Sequence, residues 1–424
     1  MYIRKYQLAN TIKILPLILM LCFVSGVFSP DMNIKNSLMS LDLEQALHDQ
    51  SGSSSFKQLF WVTIFIYSTI LYFIFNGQFE KSKALYTFIF LMIYCFLSLL
   101  WSDEALLSFK RFLLQIIVIL SLIFSLAIVS DEEKIHRVIY LFFLFLLVYN
   151  VFFILFFSQY AFDSDGTLTG IYKGKNYLGF VSVIAFIVSY SMYNILKYEK
   201  SIYKKTVIFS TLSWFVILLL SMSKTCISIA FLFYLFWFVK NKQRSRIDML
   251  LIIAILFFVI SFYLILPIIS FSFQGDFGYY FELIFGRIDL TGRGEIWALS
   301  FSAIEENFYF GNGYGAYWGV GNIPLAFDIR DSYLRFINQS HNGYLDLYLQ
   351  IGFIGLIIFS LLLYFFVRSN YGKLPFYLKY IFIFSLIHNF TESSLLRDTH
   401  FVWFFLLICL VYSFCVMRKG FKKV

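Results

Sequence analysis

Charge is what this chain has least of. Asp, Glu, Lys and Arg together make up 14% of its 424 residues, against about a quarter in an average soluble domain. Proline occurs only five times, which excludes a proline-rich disordered chain. Cysteine is equally rare, which excludes a disulfide scaffold. Cys22, Cys95, Cys226, Cys409 and Cys415 all lie in or at the ends of apolar stretches and read as small packing residues. Apolar residues dominate: 60% of the chain is hydrophobic and 22% aromatic, with 56 Phe, 30 Tyr and 7 Trp. Soluble cores cannot hide that excess, so a soluble enzyme is excluded. The fold class expected is an all-α polytopic membrane protein. The net charge of +9 would suggest nucleic acid in a soluble protein; here the question is where the charge lies.

Twelve mostly apolar stretches approach the roughly 20 residues needed to cross a bilayer: 12–29, 59–76, 84–101, 112–129, 138–157, 177–195, 206–222, 225–239, 249–271, 343–367, 376–390 and 399–416. The seventh and eighth are separated only by the polar Ser221-Met222-Ser223-Lys224-Thr225. The first follows Arg4, Lys5 and Lys13 and shows no small-residue cleavage site, so it reads as a retained span. Placing the N-terminus inside assigns 20 Lys and Arg to inner segments, which span only 61 residues. The opposite orientation inverts that bias, so both termini are expected to be cytoplasmic. The basic clusters then serve as topological anchors beside lipid headgroups, and no nucleic-acid partner is implied.

The chain divides into residues 1–271 with spans one to nine, a large outer loop at 272–342, and 343–424 with spans ten to twelve. The loop is rich in Trp, Tyr, Phe and Gly and should fold against the membrane. Its basic residues are all arginine, Arg287, Arg293, Arg330 and Arg335, a residue suited to bidentate phosphate contacts. Arg293 precedes a short amphipathic helix expected over 295–306. An Arg at a helix N-terminus opposes the dipole unless an anion binds there; the other reading is an ion pair with Asp289 or Glu295. Gly311-Asn312-Gly313-Tyr314-Gly315 lacks the Lys-Ser/Thr of a nucleotide-binding loop and reads as a turn. His341, at the loop's end beside Asn342, is either a general base or a structural hydrogen-bonding group. His388, Glu392 and His400 lie near the outer ends of spans. With His341 they raise the question of a metal, although no zinc-ligand spacing is matched. Lys175 and Lys224 lie at outer rims, where a Lys either snorkels or binds a ligand.

From position 341 onward, His341-Asn342, nine residues, then Gly352-Phe353-Ile354-Gly355 resembles the H-[N/S/Q]-x9-G-x-x-G motif of bacterial O-antigen ligases. Leu100 to Asp103, Lys175-Asn176, Ser223-Lys224-Thr225, Thr291-Gly292-Arg293 with Trp297, Gly311 to Trp318, and His388-Asn389 with Thr391-Glu392-Ser393 are similar to elements of the exopolysaccharide-polymerase branch of that superfamily. The resemblance implies a glycosyltransferase of the C superfamily type in the bacterial inner membrane. Its substrate would be an undecaprenyl-diphosphate-linked glycan, joined at the periplasmic face to an acceptor glycan or to lipid A-core. No nucleotide sugar is used, nor a metal in the ligase branch. The resemblance implies catalytic roles for His341 and Arg293. Arg287, Lys224, Lys175, Asn342, His388 and Glu392 are candidate substrate-binding residues. Membrane lipids, a flippase and a chain-length regulator are the partners it suggests. Ligases commonly carry Arg where this chain has Lys224, which leaves a point charge in place of a planar fork. Two rivals remain: a ligase that transfers finished glycan to lipid A-core, and a transporter of lipid-linked glycan. Against the transporter, no clear internal repeat is visible.

Overall fold

Backbone N–H and C=O groups have no water to bond in hydrocarbon, so long apolar stretches fold as helices. The computed structural model describes residues 2–33, 55–129, 131–195, 201–238, 293–318 and 338–415. Its helices are α1 (Tyr2–Val24), α2 (Ser55–Ile74), α3 (Lys83–Leu97), α4 (Ala105–Ala127), α5 (Glu132–Phe156) and α6 (Lys175–Ile195). They continue with α7 (Ser201–Leu220), α8 (Lys224–Phe238), α9 (Arg293–Glu306), α10 (Gly343–Ser369), α11 (Phe376–His388) and α12 (Phe401–Cys415). Every apolar stretch of the sequence coincides with a helix except 249–271, which lies outside the described residues. The short amphipathic helix of the outer loop is α9, beginning at Arg293. Among the described residues, extended pairing is limited to one bridge, between Phe162 and Leu168. The chain is an all-α polytopic membrane protein, with seven described helices long and apolar enough to cross a membrane.

Local signals set several helix starts. Ser82 caps α3 by accepting from the Leu85 N–H at 3.2 Å. Asp131 caps α5 by accepting from the Glu133 N–H at 3.1 Å, and Glu132 and Glu133 place negative charge in its first turn. At the centre, α12 is apolar on all sides, and every residue from Phe401 to Cys415 is buried. It packs against α11, α4 and α6. With 13 and 15 residues, α11 and α12 are shorter than a full crossing. Protein encloses them, so their ends can stop below the membrane surface with the connecting backbone satisfied by neighbouring segments.

Their three-residue spacing would put Gly352 and Gly355 on one face of a continuous helix. Instead α10 breaks at Gly352, whose φ of 65° and ψ of −170° are not helical. The outer-loop segment 308–313 crosses the break. Phe353 N–H donates to Phe308 O at 3.0 Å, Ile354 N–H to Tyr309 O at 3.2 Å, and Asn312 N–H to Leu349 O at 2.8 Å. The groups freed by the kink are thus paired again. The two backbones meet glycine to glycine: a Cβ on Gly311 would lie 2.5 Å from the Gly352 nitrogen. The glycines of 311–315 are therefore a close-approach device as well as a turn.

Candidate functional site

Four helix starts lie at one end of the bundle, and hydrogen bonds tie their first residues together. Lys175 opens α6, Lys224 opens α8, Arg293 opens α9, and Gly343 opens α10 behind its cap Asn342. Ser223, just ahead of α8, donates its hydroxyl to Asn176 Oδ1 of α6 at 3.1 Å. Gly179 permits this approach, because a Cβ there would stand 2.7 Å from the Ser223 Cβ. Asn176 Nδ2 donates in turn to Glu392 Oε1 at 2.9 Å. The other oxygen, Glu392 Oε2, faces His341 Nδ1 at 3.1 Å. From the α9 side, Trp297 Nε1 donates to the Ser340 carbonyl at 2.9 Å, one residue before His341. One chain of polar contacts therefore runs from Ser223 through Asn176 and Glu392 to His341, across segments far apart in sequence.

His341 is held in an unusual conformation. Its φ is +53°, in the left-handed region that a non-glycine residue enters at a cost and keeps only when its surroundings enforce it. Those surroundings are visible on both sides. Before it, Ser340 N–H donates to Asp346 Oδ1 at 2.9 Å, and the Ser340 hydroxyl donates to Asn342 O at 2.8 Å. After it, Asn342 N–H donates to Ser393 Oγ at 3.1 Å, and Asn342 Oδ1 accepts from Tyr344 and Leu345 N–H at 3.1 and 3.2 Å. The loop from α11 to α12 supplies a further clamp. Arg397 donates to Gln339 Oε1 and to Asn338 O, each at 2.7 Å. His341 itself keeps a third of its side chain exposed, whereas Glu392 is 13% exposed. When Nδ1 carries the proton, Glu392 accepts it and Nε2 is left bare.

Glycine-rich residues 311–318 form the floor beneath this end. Arg111 of α4 donates to the carbonyls of Gly315 and Trp318. Gln350 Oε1 accepts from Gly315 N–H at 3.1 Å. Tyr314 N–H donates to Ser98 Oγ, and its hydroxyl donates to Leu396 O, both at 2.9 Å. Burial raises the Tyr314 phenol well above its ordinary range, so it serves as a neutral donor. Trp318 Nε1 closes the circuit by donating to Asp346 Oδ1 at 2.8 Å.

The residues singled out from sequence separate into groups. His341 and Glu392 are in direct contact, and Lys175 and Lys224 stand beside the Asn176–Ser223 link, half-buried and exposed respectively. Asn342 is buried and its carboxamide oxygen is engaged as the cap of α10. His388 is 1% exposed, with Phe180 and Phe384 rings each centred 5.4 Å away. It reaches the site through its main chain, where its carbonyl accepts from Glu392 N–H at 3.0 Å. Arg287 lies outside the described residues, and the structure places Arg293 by its backbone, at the start of α9. No three His, Cys, Asp or Glu side chains among the described residues are grouped to hold a metal. Sequence reasoning passed over Gln339, Arg397, Arg111 and Asp346 as partners of the site. Asn176 and Ser223 were visible only as neighbours of two lysines.

Comparison with protein families finds that the model of the O-antigen ligase family matches residues 207–360. The match runs from α7 into α10 and contains Ser223, Lys224, Arg293, His341, Asn342, Gly352 and Gly355. No curated protein matches the chain. The family match supports the resemblance to the O-antigen ligase and polymerase superfamily. With the membrane-spanning helices it supports a ligase- or polymerase-type function in general terms.

Proposed function

We propose that the chain joins glycan repeat units carried on undecaprenyl diphosphate at the periplasmic face of the inner membrane, in the synthesis of O-antigen or exopolysaccharide. The observation that carries this reading is the His341–Glu392–Asn176–Ser223 chain with Lys175 and Lys224 beside it. An acceptor sugar hydroxyl is a weak nucleophile, and His341 Nε2 removes its proton as it attacks the anomeric carbon of the donor. The bond from that carbon to the diphosphate oxygen breaks, and its electron pair leaves with the diphosphate. In this reading the helix starts at Lys175, Lys224 and Arg293, with the cations those residues carry, neutralise that charge. Backside attack inverts the anomeric configuration, and NMR of the product linkage against the donor anomer checks it; retention excludes the direct displacement.

The reading places 1–271 and 343–424 as membrane domains around an outer loop at 272–342, with Arg287 and Arg293 as further phosphate ligands and both termini in the cytoplasm. A flippase supplies the donor and a chain-length regulator acts on the product. Complementation of a deletion strain tests it. His341→Ala at normal protein level should leave single repeat units, a loss of about 10²-fold or more in polymerisation; full-length polymer removes His341 from the mechanism. The family description favours one alternative, transfer of finished glycan to lipid A-core. In that case the deletion strain accumulates long polymer that is never attached.

A further inference from the structure

Among the described residues, His341 Nδ1 has two hydrogen-bonding neighbours, and they make opposite demands on it. Glu392 Oε2 at 3.1 Å can only accept, so it requires a proton on Nδ1. Gln339 Nε2 at 3.3 Å can only donate, so it requires Nδ1 bare. The orientation of the Gln339 amide is set by Arg397. A guanidinium has no acceptor atom, so the group 2.7 Å from Arg397 Nη1 must be the amide oxygen, which turns the NH₂ towards the imidazole. Arg397 also binds the Asn338 carbonyl at 2.7 Å, which fixes the backbone from which Gln339 projects. A neutral imidazole carries one proton and cannot satisfy both neighbours at Nδ1.

We propose that Gln339, oriented by Arg397, is a positioning residue for His341 that competes with Glu392 for the same ring nitrogen and so sets the tautomer of the base. With Nδ1–H bonded to Glu392, Nε2 is bare and can accept the acceptor hydroxyl proton. The Gln339 N–H faces Nδ1–H both before and after Nε2 takes the proton, so its contact acts on the tautomer equilibrium of the neutral ring. Glu392 thus selects the reactive tautomer, and Gln339 opposes it. The consequence for turnover rests on His341 acting as the base; the competition at Nδ1 does not.

Imidazole ¹⁵N NMR of the full chain in lipid nanodiscs reads the tautomer without any turnover. The chain has five histidines, and the spectrum of His341→Ala assigns the relevant signals by difference. Gln339→Leu should raise the Nδ1–H population of His341, and Glu392→Gln should lower it. The sharper arm is the double variant Glu392→Gln with Gln339→Glu. A carboxylate at 339 can accept from Arg397 with one oxygen and from Nδ1–H with the other, so it should restore the Nδ1–H tautomer. It should also regain about tenfold of the activity lost by Glu392→Gln, a loss of about 10²–10⁴-fold. A Gln339→Leu spectrum identical to that of the native protein overturns the proposal, as does a double variant with the tautomer of Glu392→Gln. If the tautomers respond as expected but His341→Ala still makes polymer, the competition stands and the function proposed above fails.

Discussion

His341 combines a strained backbone, at φ +53°, with a ring about one-third exposed that faces a carboxylate. A histidine with only a packing role has no need of that strain, and the hydrogen bonds around Ser340, Asn342 and Ser393 show what maintains it. Asn342 holds the following helix: its side chain caps α10. Asn342→Ala should cost about 1 kcal/mol of stability, read as a lower melting temperature in detergent, while Asn342→Asp keeps most of it. If Asn342→Ala abolishes activity with its melting temperature unchanged, Asn342 acts on substrate and not as a cap. At this scale His341 was legible from its place beside the tenth span and Glu392 from its place one turn after His388. Their pairing was not, because 51 residues separate them and no local spacing brings them together.

Among the elements, the break in α10 carries the most structure. Gly352 lies in the left-handed region, and a Cβ there would stand 2.4 Å from the Tyr309 carbonyl oxygen. Gly352→Ala should therefore destabilise by at least about 2 kcal/mol, with loss of the monodisperse peak in detergent chromatography. Gly372→Ala is its control: that glycine has no left-handed φ and nothing within 4 Å of an added Cβ, so stability should stay within about 0.5 kcal/mol of the native protein. Arg111 makes a second prediction, since it grips Gly315 and Trp318 from α4. Arg111→Leu should speed hydrogen–deuterium exchange across 311–318, whereas His341→Ala leaves that segment protected. The helix boundaries were readable because 20-residue apolar runs and caps are local signals. The kink was not, because the helical periodicity of the sequence continues through Gly352; what decides is a loop some forty residues earlier laying its carbonyls over the opened turn.

At the scale of the whole molecule, the scarcity of charge marks a membrane protein, and the distribution of the basic residues predicts an orientation. Single-cysteine labelling checks that orientation, since the native cysteines are buried or half-buried. Asp165→Cys, exposed in the connection ahead of α6, should react with an impermeant maleimide in intact spheroplasts. Glu133→Cys, exposed at the start of α5, should react only after permeabilisation. The reverse pattern inverts the topology and moves the His341 site to the cytoplasm. The sequence by itself determined the helices, because apolar length and capping act within a few residues. It also supplied the cations that open α6, α8 and α9, as residue types at recognisable places. Only the tertiary structure decided that α12 is wholly enclosed, that α10 is broken, and that Ser223, Asn176, Glu392 and His341 form one chain. Those outcomes depend on which helices pack together, and packing is settled by contacts between residues that no periodicity connects.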